Sequence, residues 1–412
     1  MAIMVQKYGG SSVADLNKIK AVARKVVETR RRGYDVVVVV SAMGGTTDDL
    51  LEQARQINDT PERRELDMLL SVGERISMAL LSMAIHSHGI DAISFTGSQS
   101  GIITTQSHSE ARVVEVRPYR IQDELLTGKV VIVAGYQGVS YTREITTLGR
   151  GGSDTTAVAL AAALGAEACE IYSDVDGIFS SDPRVVDSAT KLATITYEEM
   201  QELARLGARV LNATAVEFAR QAGIALYARS THQSGSVGTT VHGGGGFRRV
   251  DGFEERLRDA EEGYGVTAIS GLKRGLLLDL NPSPGQEGLL DRLLELIAPL
   301  DTPLCHLEPE RGAVRILLNL DNIHDRHALE ARLRARCGGA LRLTDDVGLV
   351  AAVGQGVGNR PRVARAVVAA LAAHNTAPLL VRASGPSVTC VLPSSQVQSA
   401  MQILHRALID RV

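Results

Sequence analysis

The sequence predicts an α/β protein: a parallel-rich central sheet buried between helices, followed by two smaller ferredoxin-like (βαββαβ) units. Three observations carry this. Through roughly the first 230 residues, continuous apolar runs of strand length alternate with helix-period segments, the pattern of parallel strands covered on both faces. A stretch rich in Gly, Ser and Thr, "HQSGSVGTTVHGGGGFRRVDG" (His232–Gly252), then breaks the pattern with little core signal. Beyond it the grammar shortens to strand, helix, strand, strand, helix, strand, and then begins again.

The strands of the first part are "IMVQKY" (Ile3–Tyr8), "DVVVVVSAM" (Asp35–Met43), "KVVIVAG" (Lys129–Gly135) and "CEIYSDV" (Cys169–Val175). Their β-branched runs are too short for helices, and glycines follow most of them. In the first small unit "GLLLDLN" reads as a strand and "GLLDRLLELIAPL" as a helix. "TPLCHLE" and "GAVRILLNL" follow as a strand pair, "RHALEARLRARC" as a helix and "LRLTDD" as a closing strand. The second unit runs "VGLVAAVG", "RPRVARAVVAALAAHN", "APLLVRAS", "SVTCVLP" and "SAMQILHRAL", one strand short of the full order. "VTAIS" (Val266–Ser270) is positioned to supply that strand, which would interlock the two units. The expected domains are 1–240, a linker at 241–262, and small units at 263–345 and 346–412.

Composition narrows the function. Hydrophobic residues make up 44% of the 412 and charged ones 22%, ordinary for a globular protein with a large core. A formal net charge of −3 provides no global basic field for nucleic acid or an anionic membrane. Aromatics at 3%, with no Trp, remove the stacking platforms of single-strand binders. Cys169, Cys305, Cys337 and Cys390 are far apart with no CxxC pair, which argues against a metal site or disulfide framework and for a reducing cytoplasm. No long apolar run suggests a membrane span or leader.

Ligands of such sheets bind at the carboxyl ends of strands, where glycine-rich loops feed helices. Three loops of that kind occur. "KYGGSS" (Lys7–Ser12) follows the first strand and "SAMGGTTDDL" (Ser41–Leu50) the second. "LGRGGSDTTAVALAAALG" (Leu148–Gly165) crowds glycines, one arginine and one aspartate at the start of an Ala-rich helix. Bare backbone at a helix N-terminus suits a phosphate, which takes N–H groups and the positive end of the dipole. Neither the G-x-x-x-x-G-K-[ST] loop nor a G-x-G-x-x-G fingerprint is present, so the site would be assembled from several loops. "SDVDG" lacks the ligand spacing of a calcium loop. Taken singly, Lys7 would pass for a strand-end lysine, Glu74 for an exposed helix acid and Arg150 for half of an ion pair.

Together these segments resemble the aspartate kinases of the amino-acid kinase family. The resemblance rests on "VQKYGGSSVAD", "VVVVVSAMGGTTDDLL", "LLSVGERISMALLS", "FTGSQSGIIT", "VIVAGYQGV", "ITTLGRGGSDTTAVALAAALGAEACEIYSDVDGIFSSDPRVV" and "MQELARLGARVLNATAVEFA", in the family's order. It implies a three-layer kinase domain, with the two small units as paired regulatory ACT domains and a homodimer formed through them. It also implies transfer of a phosphoryl group from ATP to the side-chain carboxylate of L-aspartate, with Mg²⁺ carried on the ATP phosphates and water. By the same resemblance Lys7 and Asp154 are catalytic, and Ser41, Thr47, Glu74, Arg150 and Ser153 surround the amino acid. Lys7, Gly9, Gly10, Ser173, Asp174, Phe179, Arg184 and Arg209 fall on the nucleotide side.

The chain departs from the family pattern in three places. "RVLNAT" (Arg209–Thr214) stands where relatives carry Lys-Val-Leu-His-Pro-Arg, exchanging a point charge for a planar fork and losing a proline and an arginine. Phe179 replaces a common tyrosine. The first small unit keeps a Pro-Gly turn in "PSPGQEG", whereas "GQGVGNRPRVARAV" in the second lacks one, which implies weak or absent inhibition by lysine or threonine and permits, without requiring, a place in a specialised pathway. Two alternatives stay open at this stage: a kinase for an aspartate analogue, and a non-catalytic amino-acid-sensing subunit.

Overall fold

The computed structural model describes residues 1–149, 151–208, 210–233, 236–243, 264–282, 288–298, 304–310, 313–323 and 326–410. The chain divides into two compact units. The first comprises Met1–Ile178, Lys191–Gln201 and Arg209–Arg248, the second Phe179–Thr190, Glu202–Ala208 and Arg249–Val412. The linear division expected from the sequence misses these excursions, and most of the expected linker lies outside the described residues.

The first unit is built on strands β1 (Ile3–Tyr8), β2 (Asp35–Val40), β3 (Ala92–Phe95), β4 (Ile102–Thr104), β5 (Val113–Val116) and β6 (Val130–Ala134). It continues with β7 (Gln137–Ser140), β8 (Ile145–Thr147), β9 (Ala168–Ser173), β10 (Thr194–Thr196), β11 (Leu226–Ser230) and β12 (Thr239–His242). Its helices are α1 (Leu16–Arg31), α2 (Thr46–Ile57), α3 (Arg63–Leu70), α4 (Val72–His86), α5 (Tyr119–Leu126) and α6 (Gly152–Leu164); after α7 (Tyr197–Arg205) comes α8 (Ala213–Ala222).

Eight strands form one sheet in the order β10-β12-β11-β9-β1-β2-β6-β3. All its pairings are parallel except β11 with β12. The run Val36–Val40 is fully buried, as a strand covered on both faces must be. Helix α1 starts where the Asp15 side chain accepts the Lys18 N–H, and it lays Ile19, Val22, Ala23, Val26 and Val27 on the core. Helix α6, Ala-rich and buried along most of its length, packs on β1 and ends at Gly165 in the left-handed conformation. A smaller sheet, β5-β4-β7-β8, leads into α6.

Register sets the functional edge. Tyr8 lies beside Val40 and Tyr172, and Val40 beside Ala134, so the strands end level. The loops after β1, β2, β6 and β9 therefore emerge side by side. Among the described residues one helical stretch, Arg63–His86, is long and apolar enough to span a bilayer by length and composition alone, with Glu74 and Arg75 inside it. Asp67 and Glu74 are buried on it and it packs against α1, β3 and β6, as the core helix of a folded unit does.

The second unit holds β13 (Ala268–Leu280), β14 (Leu304–Glu310), β15 (Ala313–Asn319), β16 (Leu341–Val353), β17 (Leu380–Ser384) and β18 (Ser387–Pro393) in one antiparallel sheet, ordered β14-β15-β13-β16-β18-β17. What the sequence reads as four strands is two. "VTAIS" and "GLLLDLN" fuse into β13, and "LRLTDD" and "VGLVAAV" into β16. Gly275–Leu280 pairs with β15 and the start of β16, and Ala268–Leu272 with the end of β16. Each half-sheet carries its own helices and core. Leu289–Ile297 and Arg326–Cys337 cover Leu276, Leu278 and Ile316, while Pro361–Ala372 and Val397–Leu408 cover Ile269, Val350 and Cys390. The glycines that suggested strand ends sit at the fusion instead. The β13 register shifts on either side of Gly275, and a Cβ on Gly348 would come 2.5 Å from the Leu272 carbonyl oxygen.

Candidate active site

Lys7 occupies the penultimate position of β1 and Asp154 the first turn of α6. Their side chains meet as an ion pair, Lys7 Nζ to Asp154 Oδ1 at 2.6 Å, with 12% and 11% of the two side chains exposed. This is the centre of the site: a cation and an anion largely withdrawn from water, at the edge where the glycine loops gather.

Some of the glycines there answer to a close approach. A Cβ on Gly9 would lie 3.4 Å from Lys7 Nζ, and one on Gly10 would stand 2.9 Å from the Ala42 carbonyl oxygen. The loops after β1 and β2 are tied through backbone bonds, Ser41 N to Tyr8 O at 3.1 Å and Gly44 N to Gly10 O at 3.1 Å. Gly149 and Gly151 adopt φ of 71° and 73°, and α6 begins with no side-chain cap; its Gly152 and Asp154 N–H groups donate to the Gly149 and Gly151 carbonyls. A Cβ on Gly135, after β6, would clash with Ser153 Oγ at 2.7 Å, so the glycine lets Ser153 sit beneath that loop.

Glu74, on α4, is buried, with 3% of the residue exposed. Its Oε1 accepts the Ala42 N–H at 3.1 Å, and Oε2 has no hydrogen-bond partner among the described residues. Burial pushes this carboxyl up to about 7, against the backbone hydrogen bonds that favour its charge. An unpartnered, desolvated carboxylate oxygen is a place for a ligand cation. Ser41 and Thr47 are half-buried on the adjoining loop and α2.

The structure thus gathers Lys7, Gly9, Gly10, Ser41, Ser153 and Asp154 along one edge, with Glu74 bonded to the Ala42 backbone next to Ser41. Ser173 closes β9, its hydroxyl turned onto Val175, and Asp174 is exposed just beyond it. Phe179 and Arg184 belong to the second unit. The Arg184 fork is engaged by both oxygens of Asp182. Arg150 and Arg209 lie outside the described residues.

Sequence reading missed several residues that build this edge. Asn212 caps α8, accepting from Thr214 N and Ala215 N, and packs so close to Gly151 that a Cβ there would come 2.2 Å from its Nδ2. Ser12 and Thr231 share a buried 2.5 Å hydrogen bond that joins the loop after β1 to the end of β11. Beneath Lys7, on the opposite face of β1, Tyr8 stacks on Tyr172 at 4.7 Å and Gln6 donates to Glu170 at 2.8 Å. The Asn-x-x capping pattern at 212 is the one signal that sequence alone offered.

A family model described as "Amino acid kinase family" matches residues 2–230. This chain belongs to that family. The aspartokinase of Mycobacterium tuberculosis is 43% identical over 417 residues, covering 99% of this chain and 96% of the relative. That of Corynebacterium glutamicum is 41% identical over 411 residues, covering 98% and 96%. Among solved structures, E. coli aspartokinase III in complex with aspartate and ADP superposes with a TM-score of 0.82 at 23% identity, covering 98% of this chain and 99% of that one, a likeness of fold. Aspartate kinase from Synechocystis is 36% identical with a TM-score of 0.55, covering 98% of this chain and 69% of that one.

The position of Glu74 makes a prediction about the ligand-free protein. Its folded value lies above the free glutamate's 4.5, so its contribution to stability is complete below pH 4.5 and is lost as pH rises through about 7. Glu74→Gln is expected to stabilise the ligand-free protein at pH 8 by up to about 3 kcal/mol. Near pH 4.5 it should change nothing. Thermal unfolding at the two pH values checks this, and equal shifts at both would contradict the burial argument.

Proposed function

We infer that this chain is an aspartokinase: it transfers the γ-phosphoryl group of ATP to the side-chain carboxylate of L-aspartate, giving 4-phospho-L-aspartate and ADP. The observation that carries the reading is the Lys7–Asp154 pair at the mouth of three glycine loops, in a chain 41–43% identical to aspartokinases over nearly its whole length.

The chemistry asks for little beyond positioning and charge. The acceptor carboxylate is ionised at neutral pH, so its oxygen attacks the γ-phosphorus without a general base. The bond from that phosphorus to the bridging oxygen breaks, and ADP leaves with the electron pair. Negative charge spreads over the phosphoryl oxygens in the transition state, where the Lys7 ammonium and the Gly10 N–H neutralise it, the Gly9 N–H being donated to the Tyr172 carbonyl. Asp154 holds the Lys7 ammonium in place and orients the acceptor. Glu74 receives the substrate ammonium on its unpartnered oxygen. Ser41, Thr47, Arg150 and Ser153 complete the amino-acid side by resemblance, Arg150 as a planar clamp for the α-carboxylate.

Among the described residues no group of three or more His, Cys, Asp or Glu side chains is arranged to hold a metal ion. Mg²⁺ on the ATP phosphates fits this edge, since Asp154 supplies a carboxylate for its water shell; when bound, it neutralises phosphate charge. On the nucleotide side Ser173 and Asp174 lie beyond β9, whereas Phe179, Arg184 and Arg209 rest on the resemblance alone. The reading extends to a cytoplasmic enzyme, with the six-stranded second unit as an ACT pair that joins two copies in a homodimer.

Two measurements test it. Acyl phosphate trapped as the hydroxamate should form with ATP and L-aspartate, and Lys7→Ala should reduce kcat by about 100- to 1000-fold. A Lys7→Ala enzyme as fast as wild type would remove the lysine from the mechanism. Because the second ACT-like unit lacks the Pro-Gly turn, lysine and threonine at millimolar concentration should leave the rate largely unchanged. Strong inhibition by either would show that the unit still senses an effector.

A further inference from the structure

Asp67, on α3, is fully buried and takes no part in the chemistry described above. Its Oδ1 accepts from Thr147 Oγ1 at 2.6 Å and from Ser109 N at 3.0 Å, and its Oδ2 lies 2.7 Å from His108 Nδ1. The Ser109 hydroxyl adds a weaker contact at 3.4 Å. The Ser109 N–H can only donate, and a carboxylate accepts from it, from both hydroxyls and from His108 in the tautomer that carries its proton on Nδ1. An amide would turn its NH₂ on one of them.

The placement of these partners gives the cluster a purpose. Thr147 is the last residue of β8, from which the chain runs through Gly149 and Gly151 into Ser153 and Asp154. Ser109 holds a left-handed φ of 68°, costly for a residue with a side chain, and its carbonyl oxygen lies 3.5 Å from where a Gly149 Cβ would stand. On the other side, Asp67 sits seven residues before Glu74 on the helical stretch Arg63–His86. Gln137 adds a second tie, donating from Nε2 to the Ser71 carbonyl at 2.8 Å.

We propose that Asp67 is a positioning residue for the acceptor amino acid: through Thr147 and Ser109 it fixes the distance between Glu74 and the loop leading into α6, at whose start Ser153 and Asp154 stand. The proposal deepens the aspartokinase reading and rests on it. A substrate gripped at its ammonium by Glu74 and at its carboxylates by that loop is sensitive to their separation. Of the groups this span carries, Glu74 and Ser153 face the acceptor and only Asp154 also reaches the ATP side, through Lys7, so the larger effect falls on L-aspartate.

The test is steady-state kinetics on the full chain, with both KM values and kcat measured for wild type, Thr147→Val, Thr147→Ser and Asp67→Asn. Thr147→Val keeps the side-chain volume and deletes the 2.6 Å bond. It is expected to raise KM for L-aspartate about five- to tenfold. KM for ATP should stay within about twofold. Thr147→Ser should restore the aspartate KM, and Asp67→Asn should raise it. An unchanged aspartate KM in Thr147→Val, or equal rises for both substrates, overturns the proposal. Wild-type protein that forms no hydroxamate with L-aspartate overturns the aspartokinase reading itself, and this proposal with it.

Discussion

The ion pair between Lys7 and Asp154 is the contact around which this edge of the molecule is organised. A lysine at a strand end and an aspartate in the first turn of a helix, 147 positions apart in the chain, can meet only if β1 lies under α6 and both end at the same level. The parallel register of β9, β1, β2 and β6 provides the level edge. The glycines provide the proximity. Gly10 and Gly135 each leave room that a Cβ would fill, so the loops close to within hydrogen-bond reach of one another. Transition-state charge is best met by groups already fixed in a partly dry site, because they need not reorganise as charge develops. A surface lysine would lose much of that advantage to water and to its own freedom.

Glu74 shows the same economy from the acceptor side. An unpaired buried carboxylate strains the ligand-free fold, and the strain is relieved when a cation arrives. On the proposed reading, the group that lowers stability in the empty protein supplies affinity in the filled one. Asp67 is its opposite: equally buried, but fully bonded to neutral donors and histidine, and so suited to hold the scaffold still. The two carboxylates lie on one helical stretch. On the proposed reading, one receives the ligand's ammonium and the other fixes the place where its far end is held.

Much of this was readable in the sequence. The strands "IMVQKY" and "DVVVVV" were clear because runs buried on both faces have no competing helical period, and their glycine loops marked the edge. Lys7, Glu74 and Asp154 were proposed through the order of several motifs, since Lys7 and Glu74 alone had bland explanations. The fusion of β13 and β16 was not readable, because Gly271, Gly275 and Gly348 look like punctuation when their function is to let bulged strands run on. Asp67 and the Ser12–Thr231 pair were equally hidden, and Asn212 showed only as a helix cap. They are ordinary polar residues, and their meaning lies in partners 42 to 219 positions away in the bonded cases of Ser109 and Thr231. The membership of Phe179 and Arg184 in the second unit depends on an excursion of the chain that no local pattern announces.

The most direct test of the central claim is a double-mutant cycle on kcat with Lys7→Ala, Asp154→Ala and the double variant. If the pair acts as one unit, either single substitution removes most of its effect, and the double variant is scarcely slower than the worse single. Losses that multiply, each residue costing the same whether or not its partner is present, would mean that the 2.6 Å contact is incidental to catalysis.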